Sequence, residues 1–457
     1  MDENGKQSSG RRSSAPFDKS RIGTATRHGV MPGPRGIANA KINQDRGVVC
    51  WPFHGTLNEA VLCVFDGHGP KGERASEFCM KTLPEMLEAD HAALLKDPEE
   101  CLSRNIIKLD DMFLNGANKG IAMSCGTTSN VLFMRGTDIW VASSGDSRAI
   151  KASRKGKKVV ATEMSHDHKP DLPGEQARIL KMGGTVTPSG RNGRPSRVWN
   201  NGRVGLAMSR SIGDGECKIV GVIPDPEIKK FSLIPPETEG GDGDLFVIVA
   251  SDGVWEFITS QEAAEMVAKY MSSGDTDATS ATTHLCQEAA RRWRIAEGNY
   301  RDDITAIVTF LPFLEDFMEK NDESGIGNDP EAKLPFDATY INVGAPGIAK
   351  MTSSEFAETP GRIAPAPAPA GAPDAAPDAA SAAEGEEEEE EKETIIKRRL
   401  SVTNPFGDDE DDADWDEAKD EDKDEEEETF TKRRLSVTNP FGDDENAPIM
   451  SAEDGAP

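Results

Sequence analysis

A chain of 457 residues is long enough for one large domain or two ordinary ones, and a formal charge of −29 argues against nucleic acid or an anionic membrane as the main partner. The charge is uneven: 13 of the 52 Lys and Arg and 41 of the 81 Asp and Glu lie beyond Pro312, which leaves a balanced 39 and 40 in residues 1–312. Seven Cys without paired spacing read as thiols in a reducing compartment, and no apolar run approaches the ~20 residues that span a bilayer.

Residues 1–22 are polar, Ser-rich and basic, a poor candidate for packing, and are expected to form a disordered arm. The arm has no apolar signal core, and Asp2 stands where a myristoylation signal requires glycine. A soluble monomer in the cytoplasm, or also in the nucleus, is the expectation. From Ile22 the Gly- and Pro-dense lead-in ends at Asp45, just before a short apolar run.

Val61–Phe65 is five consecutive apolar residues, the pattern of a strand covered on both faces, and it ends abruptly in Asp66, Gly67, His68 and Gly69. An acid at a strand exit sits at the rim of the sheet. Glycine on each side of His68 lets the backbone approach a ligand closely and leaves the Gly67 carbonyl available as a donor oxygen. Taken alone, Asp-Gly after a strand is an ordinary turn. The construction recurs, however. Glu73–Leu95 carries Phe78, Met80, Leu83, Met86 and Leu87 at helical spacing. Ser124–Met134 then reads as a turn and strand that pairs with Asp138–Ser144, which leads into Gly145 and Asp146.

Residues 174–182 read as a short helix closed by Gly183 and Gly184, and residues 185–204 as an exposed flap. Leu245–Ala250 leads into Ser251, Asp252 and Gly253. Thr259 and Glu262 form a capping-box pattern before one helix, and a second is expected from about Ala278 to Ile295. Near residue 300 the order inverts, since Arg301, Asp302 and Asp303 precede the strand Ile304–Leu311.

Five acidic positions thus border apolar runs that can converge at one sheet end. Carboxylates brought together repel one another, and such a cluster is normally tolerable only around bound cations. Oxygen-only donors without Cys or His pairs favour Mg or Mn over Zn. Two such ions suit displacement at phosphorus by an activated water.

Beyond Pro312 the composition changes. Ala364–Ala383 is an Ala-Pro linker, and Glu386–Glu391 and Asp408–Glu428 are acidic blocks expected to stay disordered. The 14-residue segment KRRLSVTNPFGDDE occurs verbatim at Lys397–Glu410 and Lys432–Glu445. Two copies in charged low-complexity sequence cannot build a solenoid, so a repeated linear motif fits better. Arg-Arg-Leu-Ser resembles a basophilic-kinase site, at Ser401 and Ser436. Asn-Pro-Phe, at Asn404, Pro405 and Phe406 and again at Asn439, Pro440 and Phe441, resembles the tripeptide taken by EH domains of endocytic adaptors. The Asn-Pro turn would present a lone Phe to a pocket, and two copies would bind a multivalent partner with avidity.

VFDGHGPKG, SCGTTSNVLFM, VASSGDSRAI, HKPDLPGEQARILKMGG, GLAMSRSIGD, VIVASDGVWEFITSQEA and RDDITAIV occur in order. Together they resemble the metal-dependent protein serine/threonine phosphatases of type 2C. The resemblance covers roughly residues 22–312 and implies an α+β catalytic domain over 23–312, a four-layer α-β-β-α sandwich of two antiparallel sheets flanked by helices, followed by the acidic tail 313–457. It implies two Mn or Mg ions and hydrolysis of phosphoserine and phosphothreonine in phosphoprotein substrates.

Carried over by position, Asp66 would bridge both ions, the Gly67 carbonyl would bind one, and Asp252 and Asp302 would complete the other. Asp45 would join the acidic cluster, and Asp146 resembles the ligand of a weaker third ion. His68 resembles the general acid that protonates the leaving alkoxide. Two departures stand out. Gln44 occupies a position where many members carry an acid. No phosphate-gripping basic residue is obvious either, and Arg35 and Lys41 are the candidates. A phosphatase-like scaffold with a docking tail is the competing reading, but a scaffold has no need of a charge-repelling cluster.

Overall fold

The computed structural model describes residues 21–34, 38–56, 58–190, 194–236, 241–272, 277–311 and 338–341. Of the two compact units, 1–405 and 406–457, all described residues lie in the first. The arm 1–20, Arg35, both phosphosites and both Asn-Pro-Phe copies lie outside the described residues.

Two large antiparallel sheets form the centre of the described residues. The first runs Ile22–Arg27, Ile304–Phe310, Gly243–Ala250, Arg148–Lys155 and Lys158–Glu163 in spatial order. The second runs Glu227–Ser232, Asp138–Ser144, Ser129–Arg135, Glu59–Phe65, Arg46–Cys50 and Ala338–Ile341. Its last strand pairs antiparallel with Arg46–Cys50, so the sheet takes in backbone beyond residue 312.

The period of two along each strand divides its side chains between two cores. Leu62 and Val64 join Val49, Leu132 and Val141 to meet Val247, Val249 and Ile307 of the first sheet. Val61, Cys63 and Phe65 point the other way and pack on Cys79, Met80, Leu83 and Leu87 of the helix Gly72–Ala89 and on Leu102, Ile106 and Phe113 of Pro98–Asn115. On the outer face of the first sheet, Phe246, Ile248 and Val308 pack against Ala263 and Val267 of Ser260–Ser272 and Leu285 and Trp293 of Ala278–Glu297. The apolar run of Val61–Phe65 follows from this arrangement: its antiparallel strand is covered by a sheet on one side and helices on the other.

Local signals are obeyed closely. Thr259 and Glu262 cap each other, Glu262 N donating to Thr259 Oγ1 at 3.2 Å and Thr259 N to Glu262 Oε2 at 3.0 Å. The helix expected over Glu73–Leu95 is two, Gly72–Ala89 and His91–Lys96, broken at Asp90. The flap expected over residues 185–204 holds a small sheet among its described residues. Thr185–Thr187, Arg197–Asn200 and Val204–Leu206 form an antiparallel sheet, with Val198 and Leu206 packed on Ile179, Val220 and Val222.

Candidate active site

Antiparallel neighbours alternate exits and entries, so both sheets present acids at one shared end. In the second sheet Asp66 follows Glu59–Phe65 while Asp45 precedes its neighbour Arg46–Cys50. In the first, Asp252 lies just beyond Gly243–Ala250, and Asp302 and Asp303 precede its partner Ile304–Phe310. Asp146 lies in the turn between Asp138–Ser144 and Arg148–Lys155, which joins the two sheets.

Local bonds fix each position. Asp66 N donates to Thr128 Oγ1 at 2.9 Å, and the Asp66 carbonyl accepts from Thr128 N at 2.9 Å. Asp45 is 1% exposed, and its Oδ2 accepts from Ser251 Oγ at 2.7 Å. Ser251 Oγ in turn accepts from Thr305 N at 3.0 Å, which ties the Asp45 loop to both central strands of the first sheet. A Cβ at Gly67 would collide with the Gly72 carbonyl, and one at Gly253 with the Asp303 carbonyl.

Asp302 and Asp303 divide the work. Both oxygens of buried Asp303 are taken by backbone, accepting from Gly29 N and from Gln44 N at 2.8 Å, so this acid organises the lead-in loop. Asp302 is half-exposed and accepts from Lys41 Nζ at 2.6 Å. Gln44 Nε2 donates to the Gly69 carbonyl at 2.8 Å and lies 3.3 Å from Glu73 Oε2.

The charges are mutually unfavourable. Burial pushes the Asp66 carboxyl well above the usual carboxylate range, and the neighbouring charges of Asp45, Asp252, Asp302 and Asp146 push it further. Asp252 is raised in the same way by burial and then by Asp146 and Asp302. Asp45, buried and facing Asp303, is pushed up to about 7. Yet Asp146 Oδ1 and Asp252 Oδ1 are buried without any hydrogen-bond donor. Oxygen donors that repel one another and lack protons to accept fit a hard divalent cation. Among the described residues no three His, Cys, Asp or Glu side chains close as a ready-made cage. An ion that keeps several waters and uses one or two carboxylates needs no such cage.

Two partners of the site lie in segments that carry the resemblance, yet the sequence assigns them no role. Asp214 Oδ2 lies 2.7 Å from His68 Nε2. Burial pushes the His68 imidazole down, but the charge and hydrogen bond of Asp214 outweigh it and the ring ends above its ordinary value. Lys169 Nζ donates to Asp146 Oδ2 at 2.8 Å. The pattern SIGDG around Asp214 hints at a special turn, and Lys169 lies at the start of the motif HKPDLPGEQARILKMGG without any sign of its partner. Arg148, two residues from Asp146, is held by Asp167, to which it donates through Nε at 2.9 Å and Nη2 at 2.8 Å.

The family model described as protein phosphatase 2C matches residues 34–295, more than half of the chain. The chain belongs to the protein phosphatase 2C family. It is 32% identical over 294 residues to "Probable protein phosphatase 2C 35" of Arabidopsis thaliana, covering 60% of this chain and 80% of that one. To "Probable protein phosphatase 2C 34" of the same plant it is 32% identical over 289 residues, covering 59% and 77%. The crystal structure of a serine-threonine phosphatase 2C from Toxoplasma gondii shares the fold, with a TM-score of 0.53 at 19% identity, over 63% of this chain and 94% of that one. This phosphatase 2C is therefore a metal-dependent protein serine/threonine phosphatase acting on phosphoproteins. Among the described residues no helix is long and apolar enough to cross a membrane.

Proposed function

We propose that this chain hydrolyses phosphoserine and phosphothreonine at a two-metal site held by Asp66, the Gly67 carbonyl, Asp252 and Asp302, with Asp45 behind them and Asp146 holding a weaker third ion. Bound there, Mn or Mg ions would supply positive charge to the phosphoryl oxygens and lower the pKa of a water nucleophile. The observation that carries the reading is the set of buried, mutually repelling carboxylates at one sheet end, with the Asp146 and Asp252 oxygens lacking donors.

The residues around the acids have separable tasks. Gly67 and Gly253 keep the backbone close, because a Cβ at either would displace a facing carbonyl. Lys41 balances Asp302 and is the described candidate to meet a substrate phosphate. Arg35 is the other candidate. His68 gives a proton to the departing serine or threonine oxygen, a role supported by its place two residues from Asp66 and by its carboxylate partner.

In the tail, we assign Ser401 and Ser436 to a basophilic kinase and Asn404–Phe406 and Asn439–Phe441 to EH-domain adaptors, on the verbatim repeat alone. Phosphate at Ser401 would add about −2 charge three residues from Asn404 and switch that docking. Location in the cytoplasm, or also in the nucleus, is proposed on the thiols without paired spacing alone.

The test is phosphate release from a phosphothreonine peptide with Mn, with Mg and with chelator. Turnover with either ion and loss of it with chelator is the expected result. Equal turnover in chelator would overturn the metal assignment.

A further inference from the structure

The His68 side chain is caught at one nitrogen and bare at the other. Nε2 lies 2.7 Å from Asp214 Oδ2, while Nδ1 is buried with no hydrogen-bond partner. Asp214 is itself held hard. It is 5% exposed, its Oδ2 accepts from Ser211 Oγ at 2.6 Å, and its backbone sits in the left-handed region at φ 55° and ψ 45°. An Asp tolerates that region better than most residues, but the conformation still has to be imposed.

The surroundings impose it. Gly67–His68 pairs with Gly126–Thr127, which pairs in turn with Ile212–Gly213, so three short strands fix the backbones of the two partners on either side of Gly126–Thr127. Asp214 N donates to the Cys125 carbonyl at 3.0 Å, and Gly213 N donates to the buried Asp110 Oδ1 at 2.7 Å. Gly126 supplies the clearance, since a Cβ there would collide with the Asp214 carboxylate. The bonds at Asp214, 146 residues away in the chain, converge on holding one ring nitrogen.

We propose that Asp214 is the positioning residue of His68: by accepting the Nε2 proton it fixes the ring's orientation and makes Nδ1 the nitrogen that serves the leaving group. The inference rests on the reading of His68 as general acid. In the step, water oxygen bonds to phosphorus as the bond from phosphorus to the serine or threonine oxygen breaks; one water proton stays on the product phosphate and the other is released to solvent. The electron pair stays on the serine or threonine oxygen, which takes the proton from Nδ1. The ring is left neutral, with its Nε2 proton still donated to Asp214 Oδ2. Without Asp214 the ring is free to turn over and to exchange which nitrogen bears the proton.

The test uses leaving groups of different need in the full chain with Mn. A phosphothreonine peptide releases a poorly leaving alkoxide that requires a proton, whereas p-nitrophenyl phosphate releases a phenolate that barely does. Asp214→Ala and His68→Gln should each lower kcat on the peptide by about 10²-fold with KM within about threefold, in line with the size of general acid catalysis. The loss on the peptide should exceed that on the nitrophenyl ester by at least about tenfold in both. If His68→Gln shows this excess and Asp214→Ala does not, the positioning role is overturned and the general acid stands. If His68→Gln lacks it, the general acid itself falls.

A measurement on the wild type covers variants that do not fold. Ring ¹⁵N–¹H correlation spectra of the intact chain should show the neutral His68 ring protonated at Nε2, and a neutral ring protonated at Nδ1 would contradict the assignment.

Discussion

Lys41 Nζ donates to Asp302 Oδ1 at 2.6 Å and stands over the Tyr300 ring, 5.6 Å from its centroid. Burial pushes the ammonium down, but Asp302 and Asp303 more than compensate, and the lysine stays charged. The pair neutralises an acid that an incoming cation would otherwise neutralise. Lys41→Met should therefore bind Mn several-fold more tightly by calorimetry and raise the KM for a phosphopeptide about tenfold, roughly 1.4 kcal/mol of phosphate binding. Unchanged values in both measurements would remove Lys41 from the site.

The acids predict how stability depends on pH. The folded-state pKa values of Asp45, Asp66 and Asp252 lie above ordinary carboxylate values, Asp45 at about 7. The folded chain therefore holds protons that the unfolded chain has already released. This contribution is complete below the ordinary carboxylate pKa of about 3.9 and is lost as pH rises through the folded values. Melting temperature measured in chelator should fall between pH 5 and pH 8, and saturating Mn should abolish that fall. A melting temperature in chelator that rises over this interval would contradict the charge-strained cluster.

Gln44 makes a prediction opposite to a simple gain of ligand. Its amide donates to the Gly69 carbonyl and faces Glu73. Gln44→Glu would set a carboxylate against a carbonyl and a second carboxylate, leaving unpaired acceptors at a cost of about 1–3 kcal/mol. Denaturant unfolding in chelator should register that loss, and added Mn should restore most of it. A variant as stable as the parent in chelator would show that the amide contacts contribute nothing.

Gly253 is the point of closest approach between the Asp252 turn and the Asp303 segment. A Cβ there meets the Asp303 carbonyl, a backbone atom that cannot swing aside. Gly253→Ala should cost about 1–3 kcal/mol by forcing Asp252 and Asp303 apart, and should lower turnover even at temperatures where the chain stays folded. Wild-type turnover and melting temperature would show that the two segments have room to separate.

Much of this was legible because a strand ending in an acid is a local pattern. VLCVFDG, VASSGD, VIVASD and RDDITAIV each announce an acid at a rim, and the Thr259–Glu262 box announces its helix. The helix Pro98–Asn115 also has a local signature: Asp97 and Pro98 begin it, the Asp97 side chain accepting from Glu100 N, and Leu102, Ile106, Leu109 and Phe113 mark its buried face. What sequence does not carry is the choice of partner across long separations. That Asp214 meets His68, that Lys169 meets Asp146 and that Asp303 serves the backbone while Asp302 faces outward are consequences of which strands pair. The edge strand Ala338–Ile341 was hidden for a related reason. Four residues carry too little periodicity to stand out, and only the open edge of Arg46–Cys50 makes them a strand.

The most direct test of the metal site is Asp66→Asn, assayed for Mn binding by calorimetry and for phosphate release from a phosphothreonine peptide with the same preparation. The two-metal account predicts a folded protein that binds fewer Mn ions and loses nearly all turnover. A folded variant with parental Mn binding and parental turnover would contradict it.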